Sequence, residues 1–249
     1  MNFKIPRILS GNALKIIAAI SMFIDHFGFM FFPNVQIFRI IGRLAFPIFA
    51  FMISEGTKYT RNKTKYFLSV FSVGVICFLA YFITNGKIQF SIFTTFTLSL
   101  LMIFTLDEYK SVAFSTEANK IIKLTKFILF ALSVAFSYVF CELFYVDYGF
   151  TGAATPLAAS LVTNLPEFAP KSLKRMDKLS FRVALLTVPL IILAVDLRIS
   201  QPFALFSIPL LLLYSEKRGK LKLKYFFYVF YPLHLSLLEG VRIIIRILE

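Results

Sequence analysis

Charge is scarce in this chain: only 16% of its 249 residues are Asp, Glu, Lys or Arg. That excludes an ordinary soluble domain, which carries roughly a quarter charged residues. Cysteine is nearly absent. Cys77 and Cys141 lie in or beside apolar runs, and nothing in their spacing suggests a disulfide framework or a cysteine metal site. There are two histidines, in separate segments, so no metal site is expected. No cleavable signal is expected either, because the first apolar run is too long and no small-residue cleavage site follows it. There is no internal repeat. What abounds is apolar: 58% hydrophobic residues and a mean hydropathy of +0.78, the signature of a polytopic membrane protein. The net charge of +14 does not imply nucleic acid, because the cations sit in short loops where positive-inside sorting puts them. The 32 phenylalanines read as lipid-facing and helix-packing bulk.

Nine apolar segments follow: 12–32, 35–56, 65–85, 90–106, 121–141, 147–165, 181–197, 202–215 and 225–245. The eighth is short for a crossing. The expected fold is all-α, a polytopic transmembrane helix bundle of about nine spans. It is expected to form a single domain over 1–249, with no room for a soluble one. Basic loops alternate with poor ones. Cations cluster at the N-terminus (Lys4, Arg7), at 57–65 (Lys58, Arg61, Lys63, Lys65), at 166–182 and at 216–224 (Lys217, Arg218, Lys220, Lys222, Lys224). The 107–120 loop is mixed. This pattern predicts a cytoplasmic N-terminus and, with nine crossings, an outward C-terminus. Arg242 and Arg246 then fall on the outer side, where either they snorkel or the count is eight or ten.

The first segment, NALKIIAAISMFIDHFGFMFF, carries Lys15, Asp25 and His26 inside hydrocarbon. Each such group costs a few kcal/mol or more, and ionisable residues kept at that depth usually have a function. Eleven residue steps of roughly 100° bring His26 to within about 20° of Lys15 around the helix. The two are separated by about 16 Å along the axis. One stripe thus presents a cation at the cytoplasmic mouth and an imidazole deeper in. An extended acyl carrier with a phosphate-bearing head, such as coenzyme A, matches that layout. The second segment returns directly after Pro33-Asn34, so Arg43 is expected level with Asp25 and His26, with Asp25 its nearest acidic partner. Arg39, one turn closer to the outer surface, adds charge to the same face. A purely structural Asp25–Arg43 pair is the alternative.

Further polar candidates lie elsewhere. Ser54 and Glu55 precede Gly56 at the inner end of the second segment, where Glu55 is either functional or simply solvated. Asp147 and Tyr148 precede Gly149 at the outer start of the sixth. His234 follows Pro232 in the ninth, FYVFYPLHLSLLEG, as either a packing or a catalytic residue.

Together the stretches LKIIAAISMFIDHFGFMFFP, FRIIGRLAFPIFAFMISEGTKYTRNKTKY, FTTFTLSLLMIF, DYGFTG and FYPLHL resemble the TraX family of membrane acetyltransferases, known for N-terminal acetylation of conjugative pilin. They run from about Leu14 to Leu235. The lysine, ten residues, then histidine is similar to the basic-x10-His motif of the acyltransferase-three superfamily. FMISEG is similar to its phenylalanine-serine-glycine motif, with Glu55 inserted before Gly56. The resemblance implies an acetyl-CoA-dependent transfer within a bacterial cell membrane. His26 would be catalytic, assisted by Asp25 and Arg43. Lys15, Arg39, Ser54, Lys58 and Arg61 would contact the donor, and Asp147, Tyr148, His234 and Glu55 the acceptor. The acceptor, a peptide or a sugar, is not specified.

Three functions compete. In an acetyltransferase, His26 is the general base for an amine or hydroxyl acceptor attacking the thioester, or carries the acetyl group itself. In a transporter or channel, Asp25, His26 and Arg43 form an ion or proton relay. In a scaffold, the polar groups only pair helices.

Overall fold

The computed structural model describes residues 6–196, 200–220 and 223–248. Lys4 and Lys222, two of the cations used above to orient the chain, lie outside the described residues, as do the side chains of Lys224 and Arg246. The described residues are helical throughout their regular structure. Seven stretches are long and apolar enough to cross a bilayer: Gly11–Phe31, Gln36–Tyr59, Lys63–Asn85, Ile92–Ala113, Lys120–Leu143, Leu179–Asp196 and Phe226–Ile245. This is the all-α polytopic architecture that the apolar runs predict, because in lipid a lone segment satisfies its backbone only as a helix. Two compact units form, one from Met1–Met52 with Leu190–Glu249 and one from Ile53–Pro189.

The first unit is built on α1 (Gly11–Phe31). Ser10 caps it, its hydroxyl accepting the Ala13 N–H at 3.2 Å. The next free amides of α1, on Gly11 and Asn12, donate to the carbonyls of Lys217 and Arg218 at 2.8 and 3.0 Å. A tight turn at Pro33-Asn34 leads into α2 (Gln36–Gly42) and α3 (Ala45–Tyr59), with the helix interrupted at Arg43-Leu44. α1 and α2 meet through glycine. A Cβ at Gly28 would lie 2.1 Å from Cβ of Phe38, and one at Gly42 2.3 Å from Asp25. Close approach over small residues is how helices adhere in lipid, where apolar burial drives nothing. After the α9 helix (Leu179–Asp196), a short 3-10 turn (Gln201–Phe206) and α10 (Ser207–Leu212) return the chain to the start of α1. There Leu9 and Tyr214 form a parallel bridge. The last helix, α11 (Lys224–Leu248), continues unbroken through Pro232. Lys15 lies over the Phe227 ring and His26 meets His234, so α1 and α11 run parallel. That sense agrees with an odd number of crossings from the first helix to the last.

The second unit centres on α5 (Ile92–Ala113), which is buried around its whole circumference, as expected of a core helix. α4 (Lys63–Asn85) and α6 (Lys120–Leu143) flank it and turn most of their apolar side chains outward. α7 (Gly149–Ser160) has 12 residues, short for a crossing, yet it tracks α5 in parallel. Thr95 donates to the Asp147 carbonyl, Ser99 to the Ala153 carbonyl, and Lys110 to the carbonyls of Ser160 and Thr163, at 2.6 to 2.9 Å. From Thr95 to Lys110 the helix rises about 22 Å, so residues 147–163 run beside most of the length of α5. Lys110 caps the end of α7, where the last carbonyls lack helical partners. α8 (Lys171–Met176) is a short helix inside the basic loop before α9. The mixed segment expected as a loop over 107–120 is helical as far as Ala113, where buried Asp107 and Lys110 pair with each other and Asp107 also accepts from the partly buried Asn164.

Candidate functional site

The first unit gathers six of the residues singled out in the sequence. Lys15 and His26 share the face of α1 that meets α11. The Lys15 ammonium is 5.8 Å from the centre of the Phe227 ring. His26 Nδ1 and His234 Nε2 are 2.8 Å apart, and His234 Nδ1 is 2.7 Å from the Phe230 carbonyl oxygen. Aromatic rings enclose the pair. Phe230 stacks on His234 at 4.8 Å and 15°, and Tyr231 sets its ring edge-on to both histidines, 6.2 Å from His26 and 5.6 Å from His234. His234 is buried, while His26 keeps some exposure. Among the described residues, His26 Nε2 has no hydrogen-bond partner.

The arginines depart from the expectation. Asp25 pairs with Arg39, Nη1 to Oδ2 at 2.8 Å, and not with Arg43. Gly42 occupies the position against Asp25. Arg43 follows it by about 100° of helix turn, at the interruption before α3, and its Nε donates to Ser200 Oγ at 3.1 Å. Nor does Asp25 orient His26: its second oxygen, Oδ1, is buried without a partner among the described residues, and the imidazole Nδ1 goes to His234.

The other six candidates lie in the second unit. Ser54 is buried and shares a hydrogen bond with Ser160 at 2.7 Å. Glu55 is not solvated: it is 3% exposed and forms an ion pair with Arg182, itself 1% exposed. Arg182 reaches Asp177 at 3.3 Å. Lys58 also pairs with Asp177, at 3.4 Å, and Arg61 is exposed. Tyr148 adopts a left-handed backbone (φ 64°) at the start of α7 and packs over Gly152. Asp147, in the loop before it, is largely withdrawn from water, and that burial pushes its carboxyl up to about 6, against the pull of the Gln89 side chain and the Ile92 N–H.

Sequence reasoning missed three partnerships: His26 with His234, Glu55 with Arg182, and the Asp107–Lys110–Asn164 cluster. The last had a signal, since Asp107 and Lys110 stand three residues apart on one helix face. The first two join residues 208 and 127 positions apart and had none.

The helices and the paired histidines define a multi-pass membrane protein with an ionisable centre inside its spans. The family described as TraX protein matches residues 10–242, and the chain belongs to that family. It is 26% identical over 255 residues to the probable fimbrial assembly protein FimC, serogroup H1, of Dichelobacter nodosus, covering 95% of this chain and 97% of that one. An uncharacterized protein of Rickettsia prowazekii (strain Madrid E) is 43% identical over 54 residues, 22% of this chain and 21% of that one. No solved structure matches the chain.

Proposed function

We propose that this chain is an integral membrane acetyltransferase of the bacterial cytoplasmic membrane. It moves an acetyl group from cytoplasmic acetyl-CoA to an amine or hydroxyl acceptor, with His26 as general base. One observation carries the proposal: His26 presents a ring nitrogen without a protein partner among the described residues, on the same α11-facing stripe as Lys15. The base takes a proton from the acceptor as its nitrogen or oxygen attacks the thioester carbonyl. The C–S bond then breaks, and the thiolate leaves to be reprotonated. Arg43, of which only Nε is engaged among the described residues, is the candidate for stabilising the oxyanion. Lys15, with the loop of Lys217 and Arg218 tied to the start of α1, is the candidate for the donor's phosphates. Membership of a family known for pilin acetylation supports this assignment, as does a relative named for fimbrial assembly. Both favour the N-terminal amine of a surface-fibre subunit as acceptor.

The test is coenzyme A release from labelled acetyl-CoA by the protein in lipid nanodiscs, with a peptide amine as acceptor. His26→Ala is expected to lower turnover at least 100-fold. Equal turnover by wild type and variant removes His26 from the chemistry.

A further inference from the structure

We infer that His234 is the positioning residue of this site: it holds His26 in the tautomer with the proton on Nδ1 and leaves the Nε2 lone pair as the reacting atom. The inference rests on His26 being the base.

The hydrogen-bond accounting has one solution for a neutral pair. A carbonyl oxygen only accepts, so the 2.7 Å contact from His234 Nδ1 to Phe230 O requires the proton on Nδ1. A neutral His234 then has a bare Nε2. The 2.8 Å contact from that atom to His26 Nδ1 requires the proton on His26 Nδ1. His26 Nε2 is left bare. The chain runs from Phe230 carbonyl through His234 to His26 and ends in a lone pair.

In a serine-histidine-aspartate triad the orienting partner of histidine is a carboxylate. Here the neighbouring carboxylate, Asp25, is held by Arg39, and a second imidazole takes the place. Stacking by Phe230 and the edge of Tyr231 lock that ring. His234 is 4% exposed and both its nitrogens are engaged, which leaves it no atom to offer a substrate. During transfer, the acceptor's proton moves to His26 Nε2 as its new bond to the acetyl carbon forms and the C–S bond breaks. The resulting imidazolium keeps its Nδ1–H on His234, and the positive charge is spread along the pair towards the Phe230 carbonyl. The Nε2 proton then passes to the departing thiolate.

The chain has two histidines, so ring-15N-labelled protein, purified without a histidine tag, gives two imidazole spin systems. In wild type both are expected to carry the proton on Nδ1. In His234→Leu, His26 is expected to shift its proton to Nε2, and kcat to fall 10- to 1,000-fold with KM for acetyl-CoA unchanged. His234→Gln, whose amide oxygen accepts the His26 Nδ1–H, is expected to recover most of the loss. A proton on His26 Nε2 in wild type overturns the inference. So does undiminished turnover by His234→Leu, or a Gln variant no better than the Leu variant. No coenzyme A release by wild type overturns the acetyltransferase assignment and this inference with it, whereas release that is insensitive to His234 overturns this inference alone.

Discussion

Arg39 holds Asp25, Nη1 to Oδ2 at 2.8 Å, across the α1–α2 hairpin, although Arg43 is the arginine that residue counting from the turn places at the same depth. The side chains are about one quarter and one sixth exposed, so the pair lies at the edge of the interior. A double-mutant cycle between Asp25→Asn and Arg39→Gln is expected to give a coupling of about 1–2 kcal/mol. The same cycle with Arg43→Gln is expected to give less than half of that. Unfolding in mild detergent measures both, and a larger coupling to Arg43 contradicts the assignment.

The glycine contact of the same hairpin predicts a contrast between three alanine substitutions. Gly28→Ala and Gly42→Ala each drive a methyl group into Phe38 or Asp25, which forces the helices apart at a cost of about 1–3 kcal/mol. Gly240, within α11, has nothing among the described residues within 4 Å of an added Cβ. Gly240→Ala is therefore expected to stabilise by up to about 1 kcal/mol through helix propensity. Melting temperatures of the three variants read this order directly.

Arg182 and Glu55 are among the most deeply buried ions of the second unit, and Glu55 Oε2 has no partner among the described residues. Arg182→Met strands a carboxylate and is expected to cost about 3–5 kcal/mol. The double variant Glu55→Met/Arg182→Met is expected to regain most of that, since apolar replacements of a buried pair are often neutral. Chemical denaturation decides it: a double variant as unstable as the single one shows that the pair itself, and not the stranded charge, sets the cost.

Asp147 predicts a pH dependence. Its folded-state carboxyl titrates at about 6, above the unfolded value of about 3.9. Between these values the folded protein binds more protons than the unfolded chain. Stability therefore falls as pH rises from about 4 through 6, and levels off above it. Asp147→Asn is expected to flatten that part of the melting temperature against pH profile. An unchanged slope assigns the titration to another group.

The class of this protein, its succession of helices and the stripe shared by Lys15 and His26 are legible in the order of residues. Lipid offers no partner to a free backbone amide, so long apolar runs become helices. Within one helix, the angle and rise between two residues follow from their numbers alone. Seven of the nine expected segments are full-length spans. The sixth and eighth are short helices, and the sixth owes its reach to side chains of α5. The partners of the polar side chains follow from helix packing. His234, known from the sequence as an isolated histidine after a proline, lies against His26. Glu55, at the edge of a basic loop, is an interior ion. Asp25 takes Arg39. Each outcome depends on how one helix is rotated and tilted against another; for α1 against α2, Gly28 and Gly42 let the backbones approach where a side chain would meet Phe38 or Asp25.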